Sequence, residues 1–211
     1  MGKSLVIPFE PSRLKAIVFD LDNTLVTSDM DFMWLRNKIG CPESSDLLTF
    51  TDQIACPKKR ATAEQQILDH ELQDAQNSEP MPGCESILHY IESKALYTAI
   101  ITRNCFQAAE TKVAHNNLNI ERIISREHFA PKPSPDALNS LVKEWQLQPE
   151  EVLYVGDYLY DLQAALNAKM PSCLVNHGTE KPFEHHASIV VAHLNDLTQL
   201  LIHATRSNNM V

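Results

Sequence analysis

The sequence predicts an α/β fold, a doubly wound (Rossmann-like) parallel sheet into which a small helical cap is inserted. Short apolar runs rich in Val and Ile recur along the chain without clean alternation, which is typical of strands covered on both faces. From residue 84 onward these runs alternate with helical patterns, as in a parallel α/β sheet. After the first run, about fifty residues contain helical stretches but no convincing strand, which indicates an insertion.

Six apolar runs are expected to form the strands, and two stripes at helical spacing mark helices between them. The runs are KAIVFD (15–20), YTAIIT (97–102), RIIS (122–125), VLYVG (152–156), SCLV (172–175) and SIVVA (188–192). The stripes are Leu138, Leu141, Val142 and Trp145, then Leu162, Ala165 and Leu166. Ser134 is expected to cap the first of these helices, with Pro135 in its first turn.

The long interruption after the first strand sets the predicted domain organisation. It includes a helical pattern at roughly 58–76 and ends in PMPG (80–83), a stiff return to the sheet. We interpret residues 28–79 as a helical cap domain, and residues 14–27 and 80–204 as the core domain. The alternative is a set of extra helices packed rigidly on the sheet.

Composition and charge exclude several classes of protein. The 211 residues are 44% hydrophobic and 21% charged, and no apolar stretch approaches the ~20 residues of a membrane span. The formal net charge of −9 disfavours nucleic-acid or membrane partners, so an anionic substrate would need local positive charge. Five cysteines, an odd number without a C-x-x-C pair, favour a reducing cytoplasm. We expect a cytoplasmic monomer or weak homodimer.

The first strand ends in two aspartates, Asp20 and Asp22. Residues two apart on an extended backbone face the same side, so both carboxylates should emerge at the carboxyl end of the strand, where open α/β sheets bind ligands. Close carboxylates repel unless a cation joins them or one is protonated. This suits one aspartate to metal-bound nucleophilic chemistry and the other to proton transfer. The alternative is an ordinary pair of turn or capping aspartates.

Two further segments could hold a phosphate group. Thr102 ends the second strand, where its hydroxyl and the amides of the next helix can bind phosphate oxygens; Arg103 and Asn104 follow as candidate substrate contacts. A helix-capping threonine and a surface arginine are the plainer alternatives. Lys132 lies in PKPSP (131–135), where three prolines restrict the backbone before a helix start. Such a lysine is a suitable counter-charge for phosphate, although prolines are also ordinary helix punctuation.

A last pair of carboxylates follows the run VLYVG, with Asp157 at its carboxyl end and Asp161 in the first turn of a helix. One carboxylate can bind Mg²⁺, and the other can hold Lys132 or a metal-bound water, unless both merely cap the helix. The four aspartates contribute −4, and Mg²⁺ with Lys132 contributes +3. With Asp22 protonated the site is neutral, so we expect a divalent cation to be essential for binding a phosphate dianion.

Together the four motifs resemble the haloacid dehalogenase-like hydrolase superfamily. The segments FDLDNTL, AIITRN, PKPSPDAL and VLYVGDYLYD carry the resemblance, which spans about residues 14–200 and points to the phosphoglycolate-phosphatase-like branch with a helical cap. The resemblance implies that Asp20 is a nucleophile that becomes a phosphoaspartate. It implies that Asp22 protonates the leaving alcohol and then activates water.

The resemblance also implies a phosphate site and a metal site. Thr102 and Lys132 would bind the phosphoryl oxygens. The Mg²⁺ ligands would be Asp20, the backbone carbonyl of Asp22 and Asp157, with support from Asp161. Two positions depart from the family pattern, since Asn23 and Lys169 stand where glycine is frequent.

The predicted function is a Mg²⁺-dependent phosphatase that hydrolyses a small phosphorylated metabolite (phosphoglycolate-like, a sugar phosphate or a nucleotide) through a phosphoaspartate. The alternatives are a phosphomutase, a haloacid dehalogenase, which would need neither metal nor Asp22, and a non-catalytic binding module on the same scaffold. An apolar cluster at the start of the cap could line the substrate pocket, but packing within the cap is the favoured interpretation. Its members are Met30, Phe32, Met33 and Trp34.

Overall fold

The predicted parallel sheet is confirmed. The structure is a computed structural model that describes residues 6–208, with side chains to residue 205. Its strands are β1 (Ala16–Phe19), β2 (Tyr97–Ile101), β3 (Ile123–Ile124), β4 (Val152–Gly156), β5 (Ser172–Val175) and β6 (Ile189–Val191). They form one parallel sheet in the order β3-β2-β1-β4-β5-β6, and each lies within the apolar run that predicted it.

Eight α-helices connect or flank the strands of the described chain. They are α1 (Phe32–Ile39), α2 (Leu47–Asp52), α3 (Pro57–Asn77), α4 (Cys84–Ser93), α5 (Phe106–His115), α6 (Asp136–Trp145), α7 (Leu159–Asn167) and α8 (Leu194–Asn208). None of these described helices is long and apolar enough to span a membrane. Helix α6 begins one residue later than expected, with Pro135 rather than Ser134 as N-cap. The Ser134 hydroxyl instead accepts the Asp136 amide at 3.2 Å, which holds the turn before the helix.

Helices cover both faces of the sheet, which explains why its strands are apolar at successive positions. Ile17 and Phe19 of β1 pack in a core formed with α4, α5 and α8. Their neighbours Ala16 and Val18 pack in a second core formed with α6 and α7. Successive side chains of a strand point to opposite faces, so a four-residue run must be apolar throughout to fill both cores.

The strand order reverses at β1, and this places the carboxyl ends of β1 and β4 side by side. From β1 the chain crosses to β2 and β3 on one side of the sheet, then returns to β4 on the other. Phe19 pairs with Val155, and the next amide, that of Asp20, donates to the Val155 carbonyl at 2.8 Å. Such a switch point opens a crevice at the sheet edge and is where α/β sheets bind ligands.

Residues 28–79, which we call the helical insertion, contain α1, α2 and α3. The chain leaves the sheet through a turn at Asn23, whose φ of 56° is a left-handed conformation that Asn tolerates in place of Gly. Val26 then bridges antiparallel to Pro80, and the Thr27 amide donates to the Glu79 carbonyl at 2.7 Å. The points at which the chain enters and leaves the helical insertion therefore lie side by side. The division of the chain into two domains stays a prediction.

Candidate active site

Three charged side chains from separate segments meet below the switch point. Asp20 follows β1 and is 7% exposed, Lys132 precedes α6, and Asp161 lies in the first turn of α7. The Lys132 ammonium donates to Asp20 Oδ1 and, at 2.7 Å, to Asp161 Oδ1. Thr24 Oγ1 donates to the other oxygen of Asp20 at 3.3 Å. The segments therefore converge as the motifs suggested, and Asp161 holds Lys132.

Carboxylates from β1, β4 and α7 form a group that fits a hard divalent cation. Asp20, Asp157 and Asp161 each offer an oxygen, and these oxygens lie within 4.8 Å of one another. An all-oxygen donor set with carboxylates is the chemistry that Mg²⁺ prefers. The side chain of Asp22 is not part of this group.

Burial and mutual repulsion perturb the acids of this group. Burial raises the pKa of Asp20 to about 8, and the charge of Asp161 adds to the rise while Lys132 opposes it. Burial also raises the pKa of Asp157 to about 6, again with a contribution from Asp161. Burial by itself would lower the pKa of Lys132, but Asp161 and Asp20 hold it well above its usual value. When all three acids are deprotonated they carry −3 against +2 from Lys132 and from Lys181, whose ammonium lies 3.4 Å from Asp157 Oδ2, so a bound cation would offset the remaining charge.

Asp161 approaches the backbone of β4 so closely that Gly156 is required. A Cβ built on Gly156 would lie 2.3 Å from Asp161 Cγ and 2.4 Å from Oδ2. The Tyr154 hydroxyl donates to Asp161 Oδ1 at 3.1 Å, and the Tyr158 amide donates to Oδ2 at 3.0 Å. These two donors and Lys132 fix both carboxylate oxygens against the strand.

Asp22 is held by two groups, one of which the sequence analysis missed. Asn104 Nδ2 donates to Asp22 Oδ2 at 2.8 Å, and the Lys112 ammonium from α5 donates to Asp22 Oδ1. Lys112 is fully buried and also donates to Asp74 Oδ2 of α3 at 2.5 Å. The charge balance drawn from the motifs is therefore incomplete, because it left out this cation and its second acid.

The sequence carried a signal for Lys112. Ala108, Ala109 and Val113 form the buried face of α5, and Lys112 falls on that face by helical spacing. A lysine among buried small residues needs a carboxylate partner, so its position predicts an ion pair. A second missed cation, Lys181, follows β5 and donates to the backbone carbonyl of Asp157; it carries no comparable sequence signal.

Thr102 and Arg103 lie at the end of β2, beside the acids. Thr102 is buried and does not cap α5, whose N-cap is Cys105, so the capping alternative for Thr102 is wrong. Arg103 is not a surface arginine. Its guanidinium donates to Asp46 Oδ2 of the helical insertion at 2.5 Å and to the Lys132 carbonyl at 2.6 Å, and lies 4.9 Å from the ring centre of Tyr160.

A cavity of about 400 Å³ lies over these groups, between the sheet edge and the helical insertion. Its floor includes Asp20 and Lys132, while Met30 and Phe32 of the insertion contribute to its wall. The expectation that the apolar cluster at the start of the insertion packs internally is wrong for Phe32 and Met33, and Trp34 packs internally only in part, with its ring centre 5.4 Å from that of His70 in α3. The exposed fractions are 54% for Phe32, 68% for Met33 and 47% for Trp34.

Comparison with known proteins gives consistent matches over most of the chain. A family model described as haloacid dehalogenase-like hydrolase matches residues 29–175. An uncharacterized hydrolase of Saccharomyces cerevisiae is 29% identical over 196 residues, 90% of each chain. The N-acetylmuramic acid 6-phosphate phosphatase of Pseudomonas aeruginosa is 23% identical over 216 residues, 90% of this chain and 95% of that protein. The crystal structure of a predicted phosphoglycolate phosphatase from Haemophilus somnus superposes with a TM-score of 0.71 at 17% identity, covering 89% and 98% of the two chains.

Proposed function

Since the chain belongs to the haloacid dehalogenase-like hydrolase family, we propose that it is a Mg²⁺-dependent phosphatase acting through a phosphoaspartate on Asp20. The observation that carries this proposal is the convergence of Asp20, Lys132, Asp157 and Asp161 at the switch point, below a cavity of about 400 Å³. A buried carboxylate surrounded by further acids and one fixed ammonium suits phosphoryl transfer, where positioning and charge neutralisation supply most of the catalysis.

In the first step, a carboxylate oxygen of Asp20 attacks phosphorus and the bond from phosphorus to the substrate oxygen breaks. Lys132 and Thr102 hold the oxygens of the phosphoryl group, as their positions beside Asp20 allow. Asp22, oriented by Asn104, gives a proton to the departing alcohol oxygen. The Asp20 acyl phosphate and a free alcohol result.

In the second step, the oxygen of a water molecule attacks phosphorus while Asp22 takes a proton from that water. The phosphorus–Asp20 bond breaks, which releases inorganic phosphate and restores both aspartates. Asp20, Asp157 and the backbone carbonyl of Asp22 would hold Mg²⁺, with Asp161 in support. When bound, the cation supplies positive charge that offsets the acids and the phosphate dianion.

The cavity supports a small phosphorylated metabolite as substrate. Its volume suits a monoester of the size of phosphoglycolate, a sugar phosphate or a nucleoside monophosphate. Met30 and Phe32 would contact the less polar part of the leaving group, and Arg103, which donates to the Lys132 carbonyl, would lie beside the phosphate. The name of the Pseudomonas aeruginosa relative, an N-acetylmuramic acid 6-phosphate phosphatase, agrees with this class.

Release of inorganic phosphate from a panel of such esters tests the proposal. We expect turnover that requires Mg²⁺, stops with EDTA, and is abolished in Asp20→Asn. Asp69→Asn is the matched control, because Asp69 is an exposed residue of α3. Acid-quenched enzyme should carry label from a ³²P-labelled substrate on Asp20. Turnover that survives in Asp20→Asn would refute the assignment of the nucleophile, and halide release from a haloacid without phosphatase activity would favour the dehalogenase alternative.

A further inference from the structure

The C-terminal half of α3 is fastened to α5 by an apolar contact. Ala75 of α3 packs with Cys105 and Ala108 at the start of α5, and Leu68 and Leu72 lie against the same cluster. Small residues on both sides let the two helix backbones approach. This part of the helical insertion is thus anchored on the core rather than held above it.

Two acids of α3 are buried in the same interface, where carboxylates are rare without partners. Glu71 accepts the Cys105 amide at 3.1 Å and binds the Arg126 guanidinium. Asp74 accepts the Ser28 hydroxyl at 2.8 Å. Both acids bind groups outside α3, so each links the helix to the rest of the chain.

Lys112 lies between Asp74 and Asp22, and the three residues form a chain of ion pairs. One ammonium donates to a carboxylate of α3 and to the acid that follows β1. Burial alone would lower the pKa of Lys112, but Asp22 and Asp74 raise it above its usual value, so the ammonium is charged. A fully buried ammonium is stable only while a carboxylate neutralises it; Asp74 does so throughout, and Asp22 does so whenever it has given up its proton.

We propose that Lys112 is a positioning residue that holds Asp22 in place for proton transfer and couples it to α3 through Asp74. The proposal rests on the proposed function for the role of Asp22. With α3 docked, Asp74 fixes one side of the Lys112 ammonium and directs its remaining donors toward Asp22 Oδ1, while Asn104 holds Oδ2. Without Asp74 the Lys112 ammonium would have no fixed partner on α3, so Asp22 would lose a fixed donor. Docking of the helical insertion therefore sets the acid–base group as well as covering the cavity.

The leaving group distinguishes this role from a merely structural one. p-Nitrophenolate departs without a proton, whereas the alkoxide of phosphoglycolate needs one from Asp22. We compare kcat/KM of Lys112→Met for p-nitrophenyl phosphate and for phosphoglycolate, because kcat/KM reports the first transfer. The loss for phosphoglycolate should exceed the loss for p-nitrophenyl phosphate at least tenfold, and Asp74→Asn should shift the ratio in the same direction. Equal losses on the two esters would overturn the positioning role.

Ser78→Ala is the matched control for loss of an α3–α5 contact. Ser78 Oγ accepts a hydrogen bond from Asn116 Nδ2 at 2.9 Å, which joins the ends of the same two helices; Asn116 Nδ2 also donates to the backbone carbonyl of Lys112, but neither residue contacts the Lys112 ammonium. This variant should leave the ratio of the two kcat/KM values unchanged. A shifted ratio in Ser78→Ala would show that general loosening of the interface is sufficient, and would overturn the specific role of Lys112.

Thermal unfolding tests the coupling without any substrate. Asp22→Asn and Asp74→Asn each leave Lys112 with one carboxylate, and together they leave it with none. The fall in Tm of the double variant should therefore differ from the sum of the single falls by about 3 °C or more. In a Lys112→Met background the two effects should add. Additive effects in both backgrounds would overturn the coupling. A wild-type protein that turns over no ester of the panel would refute the proposed function, and this cycle of variants would then decide the coupling by itself.

Discussion

Gly156→Ala should damage the site through a single methyl group. The new Cβ would lie 2.3 Å from Asp161 Cγ, whereas ordinary contacts begin at 3.4 Å. Asp161 Cβ would lie only 2.5 Å away as well, so the whole side chain must move by about 1 Å. The strand β4 is buried on both faces and cannot yield in a close-packed core. That movement separates Asp161 from Lys132 and Tyr154.

The expected magnitude follows from the overlap. Overpacking of this size costs about 1–3 kcal/mol of folding free energy. For a chain of this length each kcal/mol lowers Tm by about 2–4 °C, so Tm should fall by about 2–12 °C. A displacement of about 1 Å in a group that positions a phosphate ligand should lower kcat/KM about 100-fold.

Phosphate release and thermal unfolding measure the two effects on the same preparation. Gly40→Ala is the control, since Gly40 has a φ of 79° with no atom within 4 Å of the place that a Cβ would take, and it lies outside the cavity. It should lower stability by about 1 kcal/mol through backbone strain and leave kcat/KM unchanged. Wild-type kcat/KM in Gly156→Ala would refute the reasoning, because it would show that Asp161 can move without consequence.

Two further predictions concern the turn after α7 and the acidic group. Lys169 has a φ of 59° in the Schellman turn that ends α7, where the Met170 amide donates to the Ala165 carbonyl at 2.9 Å. Lys169→Gly should relieve the backbone strain and, after the entropy cost of glycine, raise the free energy of unfolding by about 0.5–1 kcal/mol. Denaturant unfolding measures this change, and a lower stability would contradict the prediction. Burial raises the pKa of Asp20 to about 8 and that of Asp157 to about 6 when no metal is bound. Above about pH 4 the folded state therefore binds more protons than the unfolded state. As a result, Tm in EDTA should fall as the pH rises from 5 to 8. Because Mg²⁺ binds the deprotonated carboxylates, the rise in Tm on adding Mg²⁺ should be greater at pH 8 than at pH 6, and a rise independent of pH would exclude these acids as its ligands.

The strands and the carboxyl-end residues could be predicted because both depend on local sequence. Asp20 and Asp157 follow directly from runs that must be strands, and the ends of parallel strands meet at one edge. The prolines around Lys132 marked a fixed backbone in the same way. In these cases the position of a residue in its own segment was enough to place it.

Residues whose role depends on a distant partner were missed or misread. For Arg103 a surface position stayed open beside the predicted substrate contact, because the carboxylate of Asp46 that binds it lies 57 positions earlier, before α2. Lys112 depends on Asp22 and Asp74, which are 90 and 38 positions away. The cluster around Trp34 has a helical spacing, but spacing cannot show whether another element covers the face it forms.

The fastening of Val26 to Pro80 and of Thr27 to Glu79 has a consequence for how this protein can diversify. Because the two ends are already joined at the sheet, a change in the length of the intervening segment adds little loop entropy, about 0.6 kcal/mol for each doubling. Segments of other sizes can therefore be grafted at this joint while Asp20, Asp157 and Asp161 keep their places, provided that the new segment supplies a carboxylate for Lys112 in the place of Asp74.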